Sequence, residues 1–243
     1  NNLAQDIDTC SFLCGFICHY VLDSTVHPYV FYKTGKFEKD KPNTYKYNNL
    51  HLFMETYLDN YLIKEREKKN PYTFSIAKFC FDLEPFSRAL NDSIRYSFKK
   101  TYNLDFADEI YYKSLKDMKL AMRLFRQDRL GTKRFIYKLA DTFTPRNCFR
   151  FEAVSYHYPM KTSFDFLNFD HHIWRNPTTY SLISHESFYD LYIKSLKLAK
   201  KLVENTFDYL NGKDIVLEQL YSNLSYLTGL DCSINKELKY FEF

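Results

Sequence analysis

The residues in this sequence with the clearest capacity for chemistry are His19, Asp23 and His27, followed further along by His51 and Glu55. Residues four apart on an α-helix lie on one face, so His19 with Asp23, Asp23 with His27, and His51 with Glu55 form neighbouring pairs. Imidazole with carboxylate is a ligand set for zinc, and carboxylate-rich versions of it also suit manganese or iron. Eight residues of helix rise about 12 Å while zinc–nitrogen bonds are about 2 Å. His19 and His27 therefore cannot share one ion on a regular helix. Asp23 sits midway, and its two oxygens could serve an ion on either side, which makes it a candidate ligand and the candidate catalytic residue. The spacing suggests two or more metals in a row, with His51 and Glu55 completing a site around His27. The plain alternative is that each histidine caps or packs and each carboxylate pairs with a lysine. It weakens when these groups fall on two periodic faces in an apolar context, where unpaired charge is costly.

The elements that must position these residues are helical. The pattern predicts a helix from Asp8 to about Tyr32, with a break near Pro28, then a charged connector from Lys33 to Tyr45 containing Gly35 and Pro42. A second helix is expected from Tyr47 to Lys68, stopped by Asn70-Pro71. One or two more are expected between Pro71 and Asn103, divided at Pro85, and another from Asp105 to Arg129, stopped before Gly131. The stretch Thr144 to Ser184 has no sustained period and holds Pro145, Pro159, Pro177 and the single Trp174. It reads as a long irregular loop, either a lid or binding surface or a structural excursion. A last helix runs from Glu186 to Leu210, its stripe of Phe188, Leu191, Leu198, Leu202 and Phe207 facing the core. The whole, 1–243, is expected to be one all-α domain, a multi-helix bundle. The apolar run Cys10 to Tyr32 is long enough to span a bilayer, but His19, Asp23 and His27 make a buried helix with a functional polar face the better reading.

Composition excludes several classes. The chain has 243 residues, of which 22 are Tyr and 23 Phe but only 5 are Gly. Few positions can take positive φ, which argues against sandwiches, Gly-rich phosphate loops and doubly wound nucleotide folds, and the scarcity of valine leaves little material for a large sheet. A net charge of +4, spread without a basic block, predicts no specific nucleic-acid partner. The six cysteines include no CxxC pair, so they are expected to be mostly buried thiols, and Cys10, Cys14 and Cys18 to pack along one helical stripe. Asn1 to Thr9 is polar and carries Asp6 and Asp8, unlike a signal peptide, so a cytoplasmic location is expected.

With its His-x-x-x-Asp helix at His19 and Asp23, the further His27, and His51-x-x-x-Glu55 on the next helix, the sequence resembles the zinc-dependent phospholipase C family, whose helical fold is shared with fungal single-strand-specific nucleases. The likeness is closest to a bacterial branch and extends to Gly15-Phe16-Ile17, Asp23-Ser24-Thr25-Val26-His27-Pro28-Tyr29, Asn168-Phe169-Asp170-His171 through Trp174, and Ser225-Tyr226-Leu227-Thr228-Gly229-Leu230. The resemblance implies that His27, His51 and Glu55 hold one zinc, that His19 binds a second, and that Asp23 binds that zinc and bridges toward a third. It also implies two or three zinc ions in an intact family site, at least one of them here, with further ligands and the general base coming from an upstream segment. A cluster deficient at its His19 and Asp23 end is the expectation. His157, His171, His172 and His185 are the candidates for replacement ligands.

The expected function is hydrolysis of a phosphodiester, with a phospholipid headgroup ester as the substrate implied by the resemblance and peripheral membrane contact as its corollary. The alternatives are a nuclease or nucleotidase, since the many aromatic residues could stack bases, and a non-catalytic helical domain keeping an incomplete metal site.

Overall fold

A computed structural model describes residues 6–124, 132–156, 160–234 and 236–243. Among them, helices dominate: α1 (Ile7–Thr34), α2 (Leu50–Glu65), α3 (Ile76–Phe81), α4 (Arg88–Tyr102), α5 (Ala107–Leu124), α6 (Thr132–Thr142), α7 (Phe188–Leu210) and the short α8 (Leu217–Leu220). Short 3₁₀ turns lie at Pro42–Tyr47 and Glu152–Val154, and the one sheet is a hairpin of β1 (Trp174–Asn176) and β2 (Thr179–Ser184). The described residues are all-α apart from that hairpin.

Helix α1 is the element around which the rest is arranged, packing against α2, α4, α7 and β1. Asp6 starts it, its side chain accepting from the backbone N–H of Thr9 at 2.9 Å, which satisfies one of the donors a helix start leaves free. By length and composition α1 could cross a membrane; here its Val21, Val26, Tyr29 and Val30 are buried in the protein. The predicted break at Pro28 does not occur, and the helix runs on to Thr34 with Pro28 inside it. Pro28 has no N–H to give the carbonyl of Ser24. The loop at Gly229 is seated on that carbonyl instead, so closely that a Cβ at Gly229 would lie 2.4 Å from the oxygen.

The main core joins α1, α2, α7 and the hairpin through Val26, Tyr29, Val30, Met54, Leu58, Phe166, Trp174, Phe188 and Leu191. Ile17 and Val21 of α1 meet Ala199 and Leu202 of α7 in a second cluster. Leu90, Ile94 and Ala107 of α4 and α5 form a third against Phe12 of α1. Helix α7 begins with a capping box, Ser187 and Asp190 each bonding the other's backbone N–H.

Several boundaries differ from the sequence reading. The second helix begins at Leu50, because Pro42 starts a separate 3₁₀ turn and Asn49 takes a left-handed conformation at φ 61°. Two helices, α3 and α4, flank Pro85. Helix α5 is described to Leu124, and the rest of the stretch predicted to run to Arg129 lies outside the described residues. The predicted irregular loop holds the hairpin, and its turn has a local cause. Asn176 accepts from the backbone N–H of Thr178 at 3.0 Å and from its hydroxyl at 2.8 Å, an Asx turn that folds the strands back. Trp174 then reaches Tyr29, ring centroids 5.3 Å apart. The cysteines are not mostly buried: Cys18, Cys80, Cys148 and Cys232 are exposed and Cys10 and Cys14 half-buried. The face of α1 that carries Cys18 is not its core face, which follows Ile17, Val21 and Ser24.

Candidate metal centre

The register between α1 and α2 is set by apolar packing of Val26 and Val30 against Leu50, Met54 and Leu58. That packing brings the polar stripes of both helices to one edge of the core. The result is a line of contacts, each under 4 Å, running from one helix to the other. His19 Nε2 is 3.5 Å from Asp23 Oδ2, which is 3.8 Å from His27 Nδ1. His27 Nε2 is 3.8 Å from Glu55 Oε1, which is 3.1 Å from His51 Nε2.

His27, His51 and Glu55 each offer a ligand atom within 4.8 Å of the other two, so the three could hold a metal ion. Donors on a tetrahedral zinc with bonds near 2.0 Å lie about 3.3 Å apart, and the Glu55 separations of 3.1 and 3.8 Å bracket that figure. Two imidazoles and a carboxylate are also the donor chemistry zinc takes. The other end of the line differs. His19 and Asp23 are brought together, but they come from one helix, and the His19 side chain is 62% exposed.

The electrostatics of the metal-free cluster match a cation-binding role. Burial works against ionised Glu55, yet the neighbouring His27 and the hydrogen-bonded His51 outweigh it and hold the carboxyl at about 2. For His27, burial opposes the protonated ring, while Glu55, Asp23 and a carbonyl of Tyr226 more than compensate and raise its pKa. Burial pushes the Asp23 carboxyl up, against the pull of His27 and His19.

A remote segment fixes the orientation of His27. Its Nδ1–H donates to the backbone carbonyl of Tyr226 at 2.9 Å, which leaves Nε2 for Glu55 and for a metal. The ring of Tyr226 also packs beside His19, centroids 5.5 Å apart. The loop is locked on both sides: Gly229, at φ 63°, sits on Ser24 and Pro28 of α1, and Asn176 of the hairpin donates to Thr228 O at 2.8 Å. The far wall of His51 is Phe31, ring centroids 4.9 Å apart.

The second-half histidines do not join the cluster. His171 and His185 each direct a ring Nδ1 at the other's backbone carbonyl, at 2.9 and 3.2 Å, and His172 bonds through its backbone to Asn168. Their stretch serves to anchor the hairpin and the start of α7, with Trp174 Nε1 donating to Glu186 O at 2.9 Å. His157 lies outside the described residues.

Three participants have no role assigned from the sequence alone. Asp59 and Tyr156 share with Asp23, His27 and Glu55 the wall of a cavity of about 340 Å³, the remainder of which is largely apolar. Asp59 carried a signal, standing four residues past Glu55, whereas Tyr156 carried none. Tyr226 acts through its backbone, which no residue type announces.

No curated protein and no solved structure matches the chain. Residues 1–116, which contain His19, Asp23, His27, His51 and Glu55, match the family model described as zinc-dependent phospholipase C.

Proposed function

We propose that the protein is a zinc-dependent phosphodiester hydrolase acting on the headgroup ester of a phospholipid. The observation that carries this reading is that His27, His51 and Glu55 converge at the wall of the cavity between α1 and α2. His27 and Glu55 reach that cavity directly, His51 closes the set from the first turn of α2, and Asp23 places a further negative charge at its rim. Zinc held by such a set supplies Lewis-acid polarisation of a phosphoryl oxygen and lowers the pKa of a water molecule. Leu22, Val26, Val30, Leu52 and Phe188 give the same cavity its apolar lining. His19 and Asp23 together are the candidate second ion site, the weaker of the two because one helix supplies both residues.

A lipid substrate also requires access to a membrane surface. Phe135, Ile136 and Leu139 of α6, and Phe143 just past its end, are all exposed and recur at intervals of three to four residues, with Lys133, Arg134 and Lys138 around them. An apolar helix face rimmed by cations is suited to an anionic lipid interface, and this is the surface we assign to membrane contact.

The test is turnover by zinc-loaded protein of three substrates: phospholipid vesicles, a chromogenic phosphodiester and single-stranded DNA. Release of a phosphorylated headgroup, abolished by chelator and restored by zinc, is expected. Cleavage of the nucleic acid alone would replace this reading with a nuclease, and zinc binding with no turnover of any of the three would make the domain a binding module.

A further inference from the structure

Asp59 is the carboxylate of the cavity that the reading above leaves without a task. It stands on α2 one turn past Glu55, on the face that carries His51 and Glu55. Its Oδ2 accepts from the Tyr156 hydroxyl at 2.8 Å. Among the described residues no cation pairs with it, and Oδ1 has no hydrogen-bond partner. The titratable groups that face it are Glu55 on α2, Cys80 on α3 and Tyr156 itself, all of them acids. Asp59 is exposed at the cavity wall, while the protein packed around it raises its pKa to about 6, against the Tyr156 hydrogen bond and with help from Glu55, and the Tyr156 hydroxyl is raised as well, by burial and by Asp59. A carboxyl in that range is ionised at neutral pH yet basic enough to take a proton in a transition state. Four residues of helix, a rise of about 6 Å, separate its level on α2 from that of Glu55.

We propose that Asp59, oriented by Tyr156, is the general base of this chain, and that its free oxygen takes a proton from the water molecule that attacks the phosphodiester. One O–H bond of that water breaks and its electron pair forms the new P–O bond. The P–O bond to the leaving alcohol breaks, its electron pair stays on the alcohol oxygen, and the proton held by Asp59 passes to that oxygen. The products are a phosphomonoester and an alcohol, with the carboxylate regenerated. Tyr156 acts through Asp59 and is a positioning residue: its hydroxyl occupies Oδ2 and leaves Oδ1 for water. This assignment rests on the hydrolase reading, and the experiment separates the two.

Asp59→Asn and Tyr156→Phe are prepared beside the wild type, all loaded with zinc, and assayed for zinc content, kcat, KM and pH dependence on a chromogenic phosphodiester, with the carboxyl stretch of Asp59 followed by infrared difference titration against Asp59→Asn. Asp59→Asn should keep its zinc and its KM and lose about 10²- to 10⁴-fold in kcat. Tyr156→Phe should lose less, and the acid limb of its rate profile should move to higher pH, because the hydrogen bond it removes is one that lowers the Asp59 pKa. A role confined to packing would leave that limb in place. Wild-type turnover in zinc-loaded Asp59→Asn, or an Asp59 carboxyl that titrates like an exposed one near 4, overturns the assignment alone. A zinc-loaded wild type that cleaves no phosphodiester overturns the hydrolase reading and this assignment with it.

Discussion

The two ends of the ligand line on α1 have the same residue chemistry and different surroundings. At the His27 end, a second helix brings His51 and Glu55 to within 4.8 Å, a distant carbonyl fixes the ring and Phe31 walls the site. At the His19 end, one histidine and one carboxylate meet on the same helix with the histidine largely in solvent. Helical periodicity creates a row of donors at both ends. Only convergence of separate elements turns part of the row into a site, because donors four apart on one helix can supply at most two neighbouring ligands to an ion.

The largest expected effect tests that contrast directly. His51→Ala should weaken zinc binding at the His27 centre by on the order of 100-fold or more, since it removes one of three convergent donors, whereas His19→Ala should change it little. Competition for zinc against a fluorescent chelator measures both, and equal losses from the two substitutions would abolish the distinction between the ends.

Next comes Asp23, which touches both ends of the line. Asp23→Asn keeps the shape of the side chain and removes its charge, so α1 should stay folded by circular dichroism while hydrolysis is lost. Wild-type turnover with full metal content would deny Asp23 a role between the two ends.

Gly229→Ala should act on the His27 end through the Tyr226 carbonyl. Alanine at φ 63° is strained, and its Cβ would meet the Ser24 carbonyl at 2.4 Å, so the loop must lift and take the Tyr226 carbonyl away from His27. A fall in zinc affinity of about 10-fold is expected, as for other partners of a metal-bound histidine. The Nδ1–H resonance of His27 reports the same event, and if it persists unchanged in the variant, Gly229 does not govern the ring.

The smallest effect concerns the metal-free protein and its pH dependence. His27 has a folded pKa above its ordinary 6.5, so its contribution to stability is complete below 6.5 and is lost as pH rises through the folded value. Glu55, held at about 2 against an ordinary 4.5, contributes fully above 4.5 and loses its contribution as pH falls toward 2. Asp59, raised from 3.8 to about 6, favours the folded state while protonated and gives up that contribution as pH rises between those values. Chelated protein should therefore have its highest Tm at about pH 5, and zinc should move the maximum toward neutral pH. A chelated protein whose Tm is flat from pH 4 to pH 8 would mean that these groups do not feel one another.

Much of this centre was legible in the residues alone. The four-residue intervals among His19, Asp23 and His27 and between His51 and Glu55 are properties of single helices, and both helices form close to where the pattern places them, α1 over Ile7–Thr34 and α2 over Leu50–Glu65. The division around Pro85 and the core positions Phe188, Leu191 and Leu202 of α7 belong to the same class of local information, whereas α2 ends at Glu65, short of Asn70-Pro71, and Leu198 is exposed. Errors arose where a local rule met a tertiary partner. The local rule makes Pro28 a break, but α1 continues and the Gly229 loop sits on the carbonyl that the proline leaves unpaired. The Thr144 to Ser184 stretch was read as irregular, but an Asx turn at Asn176 and the burial of Trp174 against Tyr29 make a hairpin of its end.

What the residues determined by themselves was therefore which side chains share a face, since helical period follows from backbone geometry and needs no partner. What only the tertiary structure decided was which faces meet: that Val26 and Val30 pack on Leu50, Met54 and Leu58 so that Glu55 stands opposite His27, that Tyr156 comes to Asp59 across 97 residues, and that a backbone carbonyl of Tyr226, 199 residues from His27, sets its ring. Those pairings depend on how apolar surfaces exclude water together, a property of the assembled chain that no spacing within one helix encodes.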